Sequence, residues 1–359
     1  MSAEFSIFTP EGHYTNCSFA ASIQGPKAEF YQKCEAVLRD WSSGKATFER
    51  FSSGSTGKPK AFSFTRKQIL HSVRQTANAF DLKKGMGNII CLSPDYIAGF
   101  MQLMRSAILG MPMYLCPPEE LDLTKLPEAF QADFMAVVPM QLIKILADDE
   151  QRAVLQKMQK IIIGGTPVSE SLRQNLEWEE KPLYYETYGM TETLTQVAVR
   201  NINGEGVSEY FRPLPGVGLK LDERNCLVID YPALLDEPLV TNDLVYLNAD
   251  QTFLLVGRAD RTINSGGIKV QAEAVEEAVG NYFQKVEVSI PFFIHAIPDE
   301  VLGEKVVLVL EKAWDKEDEL RKQVQQALRT PVPFPTEILQ KTPFSYTQSG
   351  KIDREATLA

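Results

Sequence analysis

The sequence predicts an α/β fold. It has a large N-terminal part of mixed sheets with packed helices, a β-rich subdomain within that part, and a small α+β unit at the C-terminal end. Three observations carry this. Between about residues 61 and 200, apolar strand-like runs alternate with helical patterns, which points to a parallel or mixed sheet with ligands near the strand C-terminal ends. After about residue 205, short strand-like runs follow one another closely. From residue 261, a helical pattern and further strands mark a new unit.

The elements follow in order. TFERFSS is strand-like, and TRKQILHSVRQTANAF places Gln68 three residues after Thr65, the spacing of a capping box at a helix start. NIICLS (88–93) reads as a buried strand, Tyr96 to Leu109 as a helix, and MPMYL (111–115) as another strand. FMAVVP (134–139) and KIIIGG (160–165) are apolar runs ended by Pro or Gly. LVIDYP, LVTNDLVYLN and TFLLVGR supply the β-rich part. AEAVEEAVGNYF carries Val275, Ala278, Val279, Tyr282 and Phe283 at helical spacing. SIPFFIHAIP and KVVLVLE read as strands, the segment around 315–329 as a charged helix, and the rest as a tail rich in Pro and polar residues.

Composition narrows the function. The chain has 359 residues, 44% hydrophobic and 23% charged, with a net charge of -10. An acidic chain lacks the basic face that phosphate-backbone binding needs, so nucleic acid is excluded as a partner. No apolar run approaches the ~18 to 20 residues of a membrane span, and the N-terminus lacks the basic flank and apolar block of a secretory signal. The five cysteines (Cys17, Cys34, Cys91, Cys116, Cys226) are odd in number, with no CxxC pair. Neither a disulfide framework nor a zinc site is indicated, and a reduced, cytoplasmic protein is expected. Only His13, His71 and His295 are available for histidine chemistry.

The stretch FSSGSTGKPK (51–60) is dense in hydroxyls, glycines and lysines. Glycines there let backbone N–H groups approach an anion. A Walker A loop is excluded. Aligning its Gly-Lys on Gly57-Lys58 puts Ser52 at the first glycine and Pro59 at the magnesium-binding hydroxyl.

Ser52 to Lys60 (Ser52, Ser53, Gly54, Ser55, Thr56, Gly57 and Lys60 among them) resembles the phosphate-binding signature [ST]-S-G-[ST]-T-G-x-P-K of the acyl-adenylate-forming superfamily. The superfamily's other signatures follow in order. IIIGGTPVS contains Gly164, Gly165 and Thr166; YETYGMTET contains Tyr188, Gly189, Thr191 and Glu192. LVTNDLVYL contains Asp243, and LVGRADRTINSGGIKVQAEAVE contains Arg258, Asp260, Gly266 and Gly267. QSGKIDR contains Lys351. The resemblance implies an N-terminal domain over 1–259, abbreviated at its start, and a mobile C-terminal domain over 260–359. Only about fifty residues precede the loop, fewer than superfamily members usually have.

The resemblance also implies roles. The loop would hold the ATP phosphates, Gly164 to Thr166 would line the adenine, and Tyr188 would supply an aromatic face to it. Asp243 and Arg258 would take the ribose. Thr191 would touch the α-phosphate and Glu192 would bind Mg²⁺. Lys351 would bridge the attacking carboxylate and the α-phosphate. Asp260 would be the hinge, and Gly266-Gly267 would border the thiol tunnel. GFMQLMRSAILGM (99–111) and YGMTETLTQVAV (188–199) further resemble the o-succinylbenzoate–CoA ligases of menaquinone biosynthesis. Arg105 and Thr195 would then face the second carboxylate of that acid, because an Arg fork suits a carboxylate, and Tyr96 would sit at a gating position. ATP, Mg²⁺, coenzyme A as substrate and a small carboxylic acid are the implied ligands, with the chain acting alone or as a homodimer. Two alternatives stand beside this: another aryl- or acyl-CoA ligase, and a nucleotide-binding pseudoenzyme.

Overall fold

A computed structural model describes residues 5–16, 18–51, 60–328, 335–346 and 352–359. Among these, a nine-stranded sheet forms the centre. Its middle is six parallel strands, in the order Leu183–Gly189, Lys160–Ile163, Ala132–Val137, Gly87–Ile90, Met113–Leu115 and Ile7–Thr9. Antiparallel strands close both edges: Gln196–Asn201 and Arg212–Pro213 on one side, Gly12–Tyr14 on the other. The parallel strands read as continuous apolar runs because helices cover both faces. Side chains therefore alternate between two cores. Ile90 and Leu115 point to one, with the Ala28–Ser42, Arg66–Phe80 and Ile97–Leu109 helices. Ile89 and Tyr114 point to the other, with Leu142, Leu155 and Leu172 of three shorter helices.

The capping box forms as its spacing predicts. The Gln68 N–H donates to Thr65 Oγ1 at 3.3 Å, and Gln68 Oε1 accepts from the Thr65 N–H at 2.9 Å. The β-rich part is a four-stranded antiparallel sheet, Gly218–Leu221, Cys226–Asp230, Leu239–Leu247 and Phe253–Arg258. Beyond it, Thr262–Ser265 begins a five-stranded sheet with its own core. There Val275, Val279 and Phe283 of the Ala272–Lys285 helix meet Leu308 and Leu320.

Two features differ from what the sequence predicts. The segment 52–59 does not connect a strand directly to a helix. Its flanks pair as an antiparallel hairpin, Thr47–Phe51 with Ala61–Thr65, in which Phe51 faces Ala61, and the helix starts only at Arg66. The reason is register: five residues of AFSFT signal little alone, but they become a strand when Phe48 and Phe64 pair across the ladder and both enter the core. Second, the Ala28–Ser42 helix and the Ile7–Thr9 strand, neither of them among the predicted elements, fill the sheet edge beyond Met113–Leu115.

Among the described residues no helix is long and apolar enough to cross a membrane. Four described cysteines, Cys34, Cys91, Cys116 and Cys226, are free thiols in buried positions.

Candidate active site

Two of the signatures sit side by side. Gly164, Gly165 and Thr166 follow the Lys160–Ile163 strand; Tyr188 and Gly189 end the adjacent parallel strand. Both turns therefore leave the carboxyl edge of the sheet, where α/β folds bind ligands. Close packing explains the glycines. A Cβ at Gly164 would lie 2.6 Å from Thr187 Oγ1, and one at Gly189 2.1 Å from the Thr195 carbonyl oxygen. Gly165 has φ +85°, a left-handed value that side chains resist. Thr191 and Glu192 lie half-buried on a short turn, Thr191–Thr193, directly after Gly189 and Met190.

A charged and aromatic cluster joins this edge to the β-rich sheet. The Tyr188 hydroxyl donates to Asp243 Oδ2 at 2.5 Å, and Arg258 Nη1 donates to Asp243 Oδ1 at 3.2 Å. Burial first, then the adjacent Asp243 carboxylate, push the Tyr188 phenol well above its ordinary range. Its ring packs edge-on against Phe253, with centroids 5.2 Å apart. A carboxylate has about four acceptor sites, so Asp243 keeps capacity for further donors such as a sugar diol.

Arg258 also forks onto Asp260, with Nε and Nη2 donating at 2.9 and 2.6 Å, while Asn242 Nδ2 donates to the same carboxylate at 3.3 Å. Burial alone would raise the Asp260 carboxyl, but the Arg258 fork wins and holds it below its usual value of 3.8. A carboxyl depressed in the folded state stabilises the fold fully above its unfolded value, and that stabilisation drains away as pH falls through the folded value. Asp260→Asn is accordingly expected to flatten the acid limb of a Tm-against-pH curve below about pH 4. A limb as steep as the parent's would show that the fork contributes nothing.

Two of the acid-recognition candidates, Arg105 and Thr195, are linked through the hydrogen bonds of intervening residues. Arg105, from the Ile97–Leu109 helix, is 3% exposed. Its Nη2 donates to Gln196 Oε1 at 3.3 Å, and its Nε is buried without a partner. No carboxylate among the described residues pairs with it, and burial lowers its pKa to about 10. Thr195 does not reach Arg105 directly. Its hydroxyl meets Ser72 Oγ at 3.0 Å, on the neighbouring Arg66–Phe80 helix. Tyr96 is the N-cap residue of the Arg105 helix, half-buried, with no capping bond from its side chain.

Most of the phosphate-loop assignment (Ser52, Ser53, Gly54, Ser55, Thr56 and Gly57) and Lys351 lie outside the described residues. The hairpin that flanks the loop packs on the Arg105 helix: Phe48 lies 5.6 Å from Phe100, and the Arg50 guanidinium stacks 3.8 Å over the same ring. Lys60, the residue before the return strand, has its ammonium 5.2 Å over Phe62. Gly266 and Gly267 have φ +58° and +82° and link Ser265 to its partner Ile268. A two-residue hairpin turn with both φ positive accepts glycine best, so this pair has a backbone reason of its own.

Among the described residues no group of three or more His, Cys, Asp or Glu side chains forms a metal cage. The half-buried Glu192 is a single carboxylate. Such a donor fits Mg²⁺ held mainly by substrate phosphates and water, and it does not fit a resident, protein-caged ion.

Thr76 and Ser72 are hydrogen-bonded to Gln196 and Thr195 and are not among the residues the sequence singles out, whereas Gln196 lies in the YGMTETLTQVAV segment beside Thr195. A signal was present: Ser72 and Thr76 place hydroxyls four residues apart on the buried stripe that carries Ile69, Val73 and Phe80.

Comparison with known proteins gives matches of three kinds. A family model described as AMP-binding enzyme matches residues 29–230. The chain is 33% identical to a solved acyl-CoA synthetase (AMP-forming)/AMP-acid ligase II-like protein from Dyadobacter fermentans, covering 94% of this chain and 96% of that one, with a TM-score of 0.60. It is 26% identical to 2-succinylbenzoate–CoA ligase from Listeria monocytogenes, covering 91% of this chain and 73% of that one. The o-succinylbenzoate CoA synthetase of Bacillus subtilis shares the fold at 20% identity. In its complex with the acyl-adenylate intermediate OSB-AMP, the TM-score is 0.72, covering 86% of this chain and 68% of that one. The same enzyme solved with ATP and a magnesium ion gives a TM-score of 0.71 at 18% identity, covering 87% of this chain and 69% of that one.

Proposed function

This chain belongs to the AMP-binding enzyme family, and from that membership we propose that it joins o-succinylbenzoate to coenzyme A through an acyl-AMP intermediate. The observation that carries the choice of acid is Arg105: a buried guanidinium whose hydrogen-bond partner is a neutral amide. A buried charge is costly until it is paired. A substrate with a second, non-reacting carboxylate supplies the missing counter-charge. The curated Listeria relative carries the same acid in its name.

The chemistry runs in two steps. One carboxylate of the acid, ionised at neutral pH with a pKa near ~4, attacks the α-phosphorus of ATP; the bond to the β-phosphate oxygen breaks and pyrophosphate leaves. The thiol of coenzyme A then attacks the acyl carbon and displaces AMP. The first step brings an anion to a polyanion, so it needs placed positive charge and N–H donors more than it needs a base. On this assignment the 52–60 loop holds the β- and γ-phosphates, and Thr191 touches the α-phosphate. Glu192 helps hold Mg²⁺, which when bound offsets phosphate charge. Gly164 to Thr166 and Tyr188 border the adenine, and Asp243 with Arg258 takes the ribose. Lys351 bridges acid and α-phosphate, and Arg105 receives the second carboxylate near Thr195 and Tyr96. The chain divides near Asp260, whose Arg258 fork sits where the four-stranded sheet ends and the C-terminal sheet begins. Reorienting about that point would exchange Lys351 for the thiol, with Gly266-Gly267 bordering its path.

The test is a pyrophosphate-release assay over a panel of acids with the purified protein, ATP and Mg²⁺. Turnover of o-succinylbenzoate above benzoate and fatty acids is expected. Good turnover of benzoate or a fatty acid with none of o-succinylbenzoate would replace this acid with another aryl or acyl substrate. No pyrophosphate from any acid would point to a nucleotide-binding pseudoenzyme.

A further inference from the structure

Arg105 is held by a chain of hydrogen bonds whose direction can be worked out atom by atom. Thr76 Oγ1 donates its single proton to the Ser72 carbonyl oxygen at 3.0 Å. Having spent that proton, the Thr76 hydroxyl can only accept from its other neighbour. That neighbour is Gln196 Nε2, at 2.9 Å. The amide of Gln196 is thereby forced to turn its NH₂ toward Thr76 and its oxygen toward Arg105, which has donors only. Ser72 Oγ, through Thr195 Oγ1 at 3.0 Å, ties the preceding residue to the same helix. Residues 195 and 196 are thus pinned twice to the Arg66–Phe80 helix.

The chemistry of the pin is what matters. A glutamate at position 196 would neutralise Arg105 inside the protein. The amide oxygen orients the guanidinium with a neutral acceptor and, among the described residues, leaves its charge without a carboxylate and its Nε without a partner. We infer that Gln196, locked in one orientation by Thr76, is a positioning residue that sets selectivity for a dicarboxylic acid by holding Arg105 in place without quenching its charge. This rests on the proposed acid-ligase function and adds to it the device that keeps the cation available.

The experiment compares kcat/KM for two acids in the adenylation assay. One is o-succinylbenzoate. The other is 3-benzoylpropanoate, which keeps the reacting side-chain carboxylate and lacks the ring carboxylate. The readout is the ratio of the two values. Wild type is expected to favour the dicarboxylic acid. Gln196→Glu is expected to cut that ratio about 10- to 100-fold, the span of one charge-assisted hydrogen bond. Thr76→Val, which lets the amide turn its NH₂ toward Arg105, is expected to lower the ratio in the same direction. Thr76→Ser keeps the accepting oxygen and should restore it. Thermal midpoints separate a selectivity change from a folding defect, and a ratio is insensitive to the fraction of active protein.

A wild type that favours the dicarboxylic acid, with variants whose ratio does not move, overturns the inference alone. It is overturned equally if Thr76→Ser behaves like Thr76→Val. A wild type with no preference between the two acids, or no turnover of either, overturns the function and the inference together.

Discussion

Arg105→Met is expected to yield a protein that resists heat better and uses o-succinylbenzoate far less well. The two effects share one cause. The guanidinium is buried and, among the described residues, has one long hydrogen bond, to a neutral amide. Desolvation of an ion without a counter-ion costs several kcal/mol even after relaxation. Methionine is close in length, flexible and apolar, so it fills the space without that cost. It leaves Gln196 Oε1 without its donor, a penalty of about 1 to 3 kcal/mol. Relief of the ion should exceed this, for a net gain on the order of 1 to 3 kcal/mol, read as a Tm rise of a few degrees. Catalysis moves the other way. Loss of a charge-assisted, geometrically matched partner for the second carboxylate should lower kcat/KM for the dicarboxylic acid by about 100-fold or more. A variant less stable than its parent would show that Arg105 is already compensated in the free protein. A variant with unchanged selectivity would remove it from acid recognition.

Lys351→Ala, on the proposed assignment, is expected to split the two half-reactions. Acyl-AMP formation, read as pyrophosphate release, should fall by about 10²- to 10³-fold, the usual effect of removing one electrostatic stabiliser of a transition state. Thioester formation from supplied acyl-AMP and coenzyme A should fall far less. That step starts from a thiol of pKa near ~8.5, which has a usable thiolate fraction near neutrality. The two numbers together decide the role. Equal losses in both steps would make Lys351 a structural residue, and unchanged pyrophosphate release would remove it from the chemistry.

Much of this protein could be read along the chain, and particular residues show why. The Thr65/Gln68 capping box depends on atoms within three residues of each other, so its spacing determines it. Gly164-Gly165, Gly189 and Gly266-Gly267 mark turns where a side chain would clash or strain the backbone, and the structure gives each of them such a reason. Apolar runs such as Ile161–Ile163 announce buried strands because a doubly covered sheet tolerates little else. The hairpin Thr47–Phe51/Ala61–Thr65 was not legible in that way, since its second strand gains its identity from cross-strand register.

Motif order along 359 residues was enough to point to the family and to the reaction, because catalysis needs fixed groups in short local turns. The electrical state of Arg105 was out of reach of that reading. Its partner Gln196 lies 91 residues away, and Gln196 is in turn oriented by Thr76, 120 residues distant. Whether a buried cation meets a carboxylate or an amide depends on which distant side chains the packed helices and strands bring within 3.3 Å of it. Only tertiary packing decides that, and among the described residues it brings an amide and no carboxylate to this charge.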